Sequence, residues 1–313
     1  MLRDAWHVPR GLGHPEVETE IFQDDLLPPL RIPKITPPWL RDLARYLRQV
    51  REGVLLKLSV DRIVSSVGGV AEKLLAPGDP LRQTALRELG LHARLSDPMA
   101  RTILDGMARD WLPGRLRCLL RSEFRDPGVL DGIRPSSAGG RQRALGHPLI
   151  FHLGAGTVPG VAVTSLIRGL LVKSSILLRP GRGDVVLPLV FSKGLVQEDP
   201  ELAEAFAVLY WPQEASLESV ALEEADLVVV HGGDDTVGRV RSQLSISTPL
   251  LAYRHRIGVG LIGRETGPED IPSEVADAAR AVSLFDQRGC VSPHAYLVSE
   301  GGRVSPSEWA RLL

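Results

Sequence analysis

The spacing of apolar residues changes character near residue 140. Upstream, in "TPPWLRDLARYLRQV", Trp39, Leu40, Leu43, Leu47 and Val50 recur at helical spacing, with Thr36 placed to cap and two prolines in the first turn. The stretch "SDPMARTILDGMARDWL" repeats the arrangement, with Ser96 or Asp97 before Pro98 and a stripe through Met99, Ile103, Leu104 and Met107. Up to about Phe124 the chain is predicted to be a series of amphipathic helices. The first thirty-five residues, which include "LLPPLRIPKITPP", are proline-rich and aperiodic and predict an extended arm lying on something larger.

Beyond "RPSSAGGRQRALGHP" brief apolar runs alternate with helical segments, the signature of a parallel sheet. The runs "PLIFHL", "GLLVKSS", "AFAVLYW", "ADLVVVHGG" and "PLLAYRH" are predicted strands, and "PGVAVTSLIRGL", "GDVVLPLVFSKGLV" and "DDTVGRVRSQL" are predicted crossover helices. This is an α/β, doubly wound parallel sheet preceded by an N-terminal helical region. After "IGVGLIGRE" the alternation repeats once. "PSEVADAARAVSLF" is predicted helical with Pro272 or Ser273 near its start, a cysteine-bearing turn follows, and "AYLVSE" is a strand. "SPSEWARLL" then has the form of a helix start capped by Ser305 or Ser307. The expected segments are 1–140, arm and helices; 141–258, a dinucleotide-binding α/β domain; and 259–313, the start of a second α/β domain.

Composition narrows the functional classes. With 43% hydrophobic and 24% charged residues and a net charge of -1, the chain has globular statistics and lacks the basic excess of a phosphate-backbone binder, so no nucleic acid is expected. Its two cysteines, Cys118 and Cys290, cannot build a disulfide framework, and no CxxC or HExxH spacing offers a metal site. Neither a signal-peptide core nor a membrane-span-length apolar stretch is present, and a cytoplasmic location is expected.

Two predicted strand-to-helix junctions are glycine-rich: "FHLGAGTVPG", with Gly154, Gly156 and Gly160, and "VVVHGGDDTVG", with Gly232, Gly233 and Gly238. Such junctions bring backbone N–H groups to the carboxyl edge of a sheet, where phosphates bind, although glycines also serve tight turns. Between them, "LLVKSSILL" places Lys173 at a predicted strand end with Ser174 and Ser175 behind it, where a cation can hold a ribose or a phosphate. No acidic residue follows closely to grip a ribose 2′-hydroxyl, and Arg179 and Arg182 favour the 2′-phosphate of NADPH. Asp234 and Asp235 most simply cap the following helix. Cys118, in the apolar run "GRLRCLLRSEF", is predicted to be a buried structural cysteine. Cys290 instead sits in the polar turn "FDQRGCVSPH", the setting of an exposed and activatable thiol. His255 in "YRHRIG" is a candidate acid or base.

In this order, and most specifically in "FDQRGCVSPH", the motifs resemble those of the fatty acyl-CoA reductases of bacterial luminescence, a branch of the aldehyde dehydrogenase superfamily. The resemblance runs from about Trp39 to the last residue. It implies an aldehyde dehydrogenase-like fold in which Cys290 is the nucleophile and Lys173, with Ser174 and Ser175, meets the adenosine ribose. It further implies that Gly233 to Gly238 open the helix beside the cofactor, with Asp234 in place of the family's serine. Gly156 and Pro159 match the loop before the first crossover helix, with Thr157 where the superfamily has an oxyanion-binding asparagine. In "YRHRIGV" His255 matches the family's histidine, whereas the surrounding glycine and serine are absent, as is the glutamate of hydrolytic aldehyde dehydrogenases. The family's catalytic domain continues well past the cysteine, and this chain ends twenty-three residues after it, so the second α/β catalytic domain is expected to be incomplete.

The resemblance implies NADPH-dependent reduction of a long-chain fatty acyl-CoA or acyl-protein to the fatty aldehyde through a cysteine thioester. The implied partners are acyl-transferase and acyl-protein synthetase subunits, in an oligomer. Two alternatives remain open at this stage. One is an NAD(P)-dependent aldehyde or semialdehyde dehydrogenase, and the other an inactive remnant that binds nucleotide or a partner.

Overall fold

The computed structural model describes residues 3–12, 18–25, 27–156, 158–212, 214–267, 269–289 and 292–313. The arm contains four short strands, β1 (Arg3–Asp4), β2 (Trp6–His7), β3 (Thr19–Phe22) and β4 (Leu30–Pro33). Helices α1 (Pro37–Gly53), α2 (Val60–Leu75), α3 (Pro80–His92), α4 (Asp97–Asp110) and α5 (Pro113–Phe124) follow. The starts of α1 and α4 are those the sequence predicts. Thr36 accepts the Trp39 N–H at 3.4 Å to cap α1, and Ser96 accepts the Met99 N–H at 3.4 Å to cap α4. Cys118 corrects one expectation: α5 buries Leu116 and Leu120, and the cysteine between them in sequence is turned outward and exposed.

A short antiparallel hairpin, β5 (Arg134–Pro135) with β6 (Arg141–Gln142), leads into the main sheet. That sheet contains β7 (Leu149–Leu153), β8 (Ser175–Arg179), β9 (Phe206–Leu209), β10 (Leu227–His231) and β11 (Leu250–Tyr253). The strand order is β11-β10-β7-β8-β9-β2, parallel throughout except for β2, which pairs antiparallel with β9. Connecting helices are α6 (Val161–Leu171), α7 (Val186–Glu198), the short α8 (Pro200–Ala203), α9 (Ala215–Glu224) and α10 (Asp234–Gln243). Alternation along the strands sorts residues to two faces. Leu149, Phe151, Leu153, Val228 and Val230 enter one core with α1, α9 and α10, while Ile150, His152 and Val229 point to the side of α6.

The run "GLLVKSS" is not a strand. Helix α6 continues to Leu171, the chain turns at Lys173 (φ 58°), and β8 begins only at Ser175. Leu170 and Leu171 end a buried helix and Ile176 to Leu178 form a strand buried on both faces, so one nearly unbroken apolar stretch conceals the boundary.

Met1–Arg254 forms one compact unit and His255–Leu313 a second. The second unit has a parallel pair, β12 (Gly258–Ile262) and β13 (Pro293–Val298), with α11 (Ile271–Ser283) and α12 (Pro306–Leu312). A small core of Ile262, Ala278, Val304 and Trp309 holds it together. Ser305 and Glu308 form a capping box at the start of α12. Among the described residues no helix is long and apolar enough to cross a membrane, and no group of three or more His, Cys, Asp or Glu side chains could hold a metal ion.

Candidate active site

The strand order reverses between β7 and β10: β8 and β9 extend the sheet to one side of β7, and β10 returns to its other side. Such a switch point leaves a crevice at the carboxyl ends of the two strands. Both glycine-rich turns lie there, Gly154–Gly160 after β7 and Gly232–Gly233 after β10.

The first turn is packed against the chain's own backbone. A Cβ on Gly156 would stand 3.1 Å from the Gly183 nitrogen and 3.2 Å from that of Arg182, and a Cβ on Gly181 would overlap the Gly156 nitrogen. Glycine is required here so that the turns after β7 and β8 can touch. Asp184 completes the contact. Its carboxylate is 1% exposed and accepts the Gly160 N–H at 2.9 Å and the Ala162 N–H at 3.1 Å. Burial pushes its carboxyl up to about 7, against the opposing pull of the two N–H bonds. Two N–H groups at the start of α6, those of Gly160 and Ala162, are therefore taken by a protein carboxylate, which opposes a phosphate at this turn.

The second turn is open. Gly233 is the N-cap of α10, no side chain caps the helix, and a Cβ on Gly233 would meet nothing within 4 Å. Asp234 and Asp235 are therefore not caps; they lie exposed in the first turn, with Arg254 Nη1 3.7 Å from Asp234 Oδ1. Uncapped N–H groups and free space fit the phosphates of a nucleotide at this helix start, with the two carboxylates opposing. At the carboxyl end of β8 the half-buried Arg179 donates from Nε to the Trp211 carbonyl at 3.1 Å and lies over the Trp211 ring. This is where a dinucleotide fold places the group that meets the ribose or its 2′-phosphate. Arg182 is engaged with Asp24 at 2.6 Å and with the Pro28 carbonyl.

Sequence reasoning missed the cluster on the α6 face. His152 Nδ1 lies 2.6 Å from Ser165 Oγ, and His231 Nε2 lies 3.4 Å from the same oxygen while its ring stacks on Tyr253. Burial lowers the His152 pKa to about 3 and that of His231 to about 4, so both rings are neutral at pH 7. A cavity of about 360 Å³ opens beside them, lined also by Val161, Arg168, Val229 and Leu251. The one signal available in sequence was a histidine inside the apolar run "LIFHL", facing opposite to its neighbours.

Lys173, Ser174 and Ser175 are corrected. Lys173 and Ser174 precede β8 and Ser175 opens it, so all three lie at the amino edge of the sheet, opposite the glycine turns. Lys173 Nζ is buried against Asp131 Oδ1 at 2.7 Å, and Ser175 Oγ donates to the Leu47 carbonyl. Pro159 is buried, Gly156 and Gly238 are exposed, and His255 is exposed as the first residue of the second unit. Cys290 and Thr157 lie outside the described residues. The chain preceding Cys290 has a distinctive backbone: Phe285, Asp286 and Gln287 have φ of 59°, 50° and 58°, a left-handed run that costs energy without glycine. Ser292 closes the segment by donating from its N–H to the Gly289 carbonyl at 3.0 Å.

The fold is that of the aldehyde dehydrogenases. The chain superposes on betaine aldehyde dehydrogenase from Staphylococcus aureus in complex with NAD+ with a TM-score of 0.68 at 12% identity, covering 90% of this chain and 54% of that one. HpcC from Thermus thermophilus gives a TM-score of 0.68 at 11% identity, covering 90% and 53%. Within that fold, residues 55–313 match the family model acyl-CoA reductase (LuxC), and the chain belongs to this family. It is 25% identical over 248 residues to the long-chain acyl-protein thioester reductase of Aliivibrio fischeri, covering 76% of this chain and 50% of the relative. Identity to the corresponding protein of Photorhabdus laumondii is 22% over 246 residues, covering 75% and 49%. The chain thus spans about half the length of the curated relatives it matches.

Proposed function

We propose that the protein takes part in the NADPH-dependent reduction of a long-chain acyl thioester, acyl-CoA or acyl-protein, to the fatty aldehyde. The observation that carries this reading is family membership over residues 55–313, joined to a switch-point crevice whose α10 turn is open to a nucleotide. Names of relatives that act on acyl-protein thioesters support the substrate class.

In this reading the Cys290 thiolate attacks the thioester carbonyl, the carbon–sulfur bond to the donor breaks, and the donor thiol departs with a proton. The acyl group is left as a thioester on Cys290. Bound NADPH supplies the hydride that turns this thioester into an aldehyde. With a proton from solvent or from the exposed His255, the Cys290 thiol is regenerated. Thr157 stands where a donor to the developing oxyanion is expected, an interaction worth roughly a hundred- to a thousandfold in rate. Gly232 and Gly233 give the phosphates room, and Arg179 replaces Lys173 as the residue that meets the adenosine ribose and its 2′-phosphate. The mostly apolar cavity beside Val161 and Val229, whose lining also holds Asp110 and Arg168, offers a partly enclosed surface for the acyl chain. Acyl-transferase and acyl-protein synthetase subunits are the proposed partners.

The test uses the full-length protein. Cys290→Ala is expected to abolish covalent labelling by a radiolabelled acyl-CoA and to leave NADPH affinity within about twofold. Labelling that persists in this variant overturns the assignment. Arg179→Gln is expected to weaken NADPH more than NADH, and equal weakening of both excludes a contact with the 2′-phosphate.

A further inference from the structure

We infer that Asp184 is the positioning residue of the turn that follows β7: one buried carboxylate, delivered by the turn after β8, fixes the start of α6 and the turn leading into it. The geometry is specific. Both carboxylate oxygens are used, one by the Gly160 N–H and the other by the Ala162 N–H, and these two residues straddle the helix start. Gly160 itself is in the left-handed region at φ 92°, a conformation glycine adopts freely, so its geometry alone does not fix the entry to α6. Just before Asp184, Gly181 and Gly183 press backbone against Gly156. A single connection therefore runs from the end of β8 to Gly156, Gly160 and Ala162.

Ordinary helix caps are local and come from the residue just before the helix. This one comes from 24 positions downstream of Gly160. A cap needed only for helix stability has no reason to be remote, nor to be a carboxylate fully withdrawn from water, because a serine at the N-cap serves α2 and α4 in the same chain. What the remote carboxylate adds is coupling. The turn after β7 cannot move without the turn after β8, and the first of them borders the switch-point crevice in which a nucleotide would lie. This consequence rests on the reductase reading; the coupling itself does not.

Only the ionised form accepts at both oxygens, and protonation turns one acceptor into a donor facing an N–H group. Little else facing Asp184 can titrate. From α6 it meets backbone N–H groups, and the neighbouring Arg182 is committed to Asp24 and the Pro28 carbonyl. From α4 and α7 the side chains nearest Gly160 are the uncharged Met107 and Leu187. Among the described residues no cation pairs with Asp184.

The experiment compares Asp184→Asn with the parent in the full-length protein. This variant keeps shape and one acceptor and loses the other. Amide hydrogen exchange at Gly160 and Ala162 is expected to accelerate at least tenfold, while exchange in β7 and β9 stays unchanged. Unaltered exchange at both amides overturns the inference whether or not the protein reduces acyl groups. The acylation rate at Cys290 is expected to fall at least tenfold, with the KM for acyl-CoA and the Kd for NADPH within about threefold. The parent rate should decline below pH 7, and the variant should lack that limb. Acylation within twofold of the parent, with exchange accelerated, removes the catalytic consequence. A parent that never acylates removes the reductase reading and leaves the exchange result standing. Should the variant fail to fold, NMR of the parent decides: the Gly160 and Ala162 amide shifts must titrate together with the Asp184 carboxyl carbon, and amides that ignore that titration sink the proposal.

Discussion

The helices α6 and α10 both start at the carboxyl edge, one on each side of the switch point, and they are built in opposite ways. Helix α6 begins on a left-handed glycine and has its first N–H groups filled by the buried Asp184. Helix α10 begins on an extended Gly233 with no side-chain cap and open space around it. Two turns of similar composition thus do different work. One is a joint between segments of the protein, and the other leaves the first N–H groups of its helix without a side-chain cap.

The largest expected effect strikes the filled end through pH. The Asp184 carboxyl stands at about 7 in the fold against an ordinary value of 3.8, so the folded state keeps a proton that the unfolded chain releases between those values. Its contribution to stability is therefore full below 3.8 and lost as pH rises through about 7, a change on the order of 4 kcal/mol. His152, lowered to about 3, works in the other direction and favours the fold above its ordinary value of 6.5. Urea unfolding of the parent and of Asp184→Asn at pH 4, 5.5 and 7 isolates the first group by difference. Parallel curves would mean that Asp184 is not buried as described.

Next in size is Gly183→Ala, whose new Cβ would overlap the Gly156 carbonyl oxygen. Backbone on both sides leaves no flexible atom to yield, and a loss of roughly 3 kcal/mol in urea unfolding is expected. At the open end, Asp234→Asn together with Asp235→Asn removes two anions from the first turn of α10. NADPH affinity, followed by fluorescence titration, should rise about two- to fivefold at low salt and less at high salt. A fall in affinity would place the phosphates elsewhere. The smallest effect belongs to Gly233→Ala, with a stability change below about 1 kcal/mol because the Cβ meets nothing.

Much of this contrast was hidden in the sequence because it depends on distant partners. The local signals were legible: Thr36 and Ser96 announced α1 and α4, Ser305 announced α12, and alternating apolar runs announced the parallel sheet. Lys173 was misplaced because a buried helix end and a buried strand share one apolar stretch, which moved the predicted strand by several residues and put the lysine at the wrong edge. Asp184 left no local trace, since its partners precede it by 22 and 24 positions. Asp234 and Asp235 look like caps by residue type, yet the chain enters α10 one residue earlier, through Gly233. Cys118 lies among leucines, but only those on the inner stripe of α5 are buried. The histidine cluster was missed because its members come from two strands and a helix.

The pairing of β2 with β9 bears on how the molecule assembles. Trp6 lies opposite Leu209 and His7 opposite Val208, and the His7 ring reaches the Ala203 carbonyl across a separation of 196 residues. A contact that spans so much chain closes a very large loop, so its formation belongs among the last events of folding. Until it forms, Val208 and Leu209 on the edge of β9 lack their antiparallel partner and are able to pair with an edge of another molecule. The arm is thus the guard against intermolecular strand exchange, and the interval before it docks is when the nascent protein is most prone to aggregate.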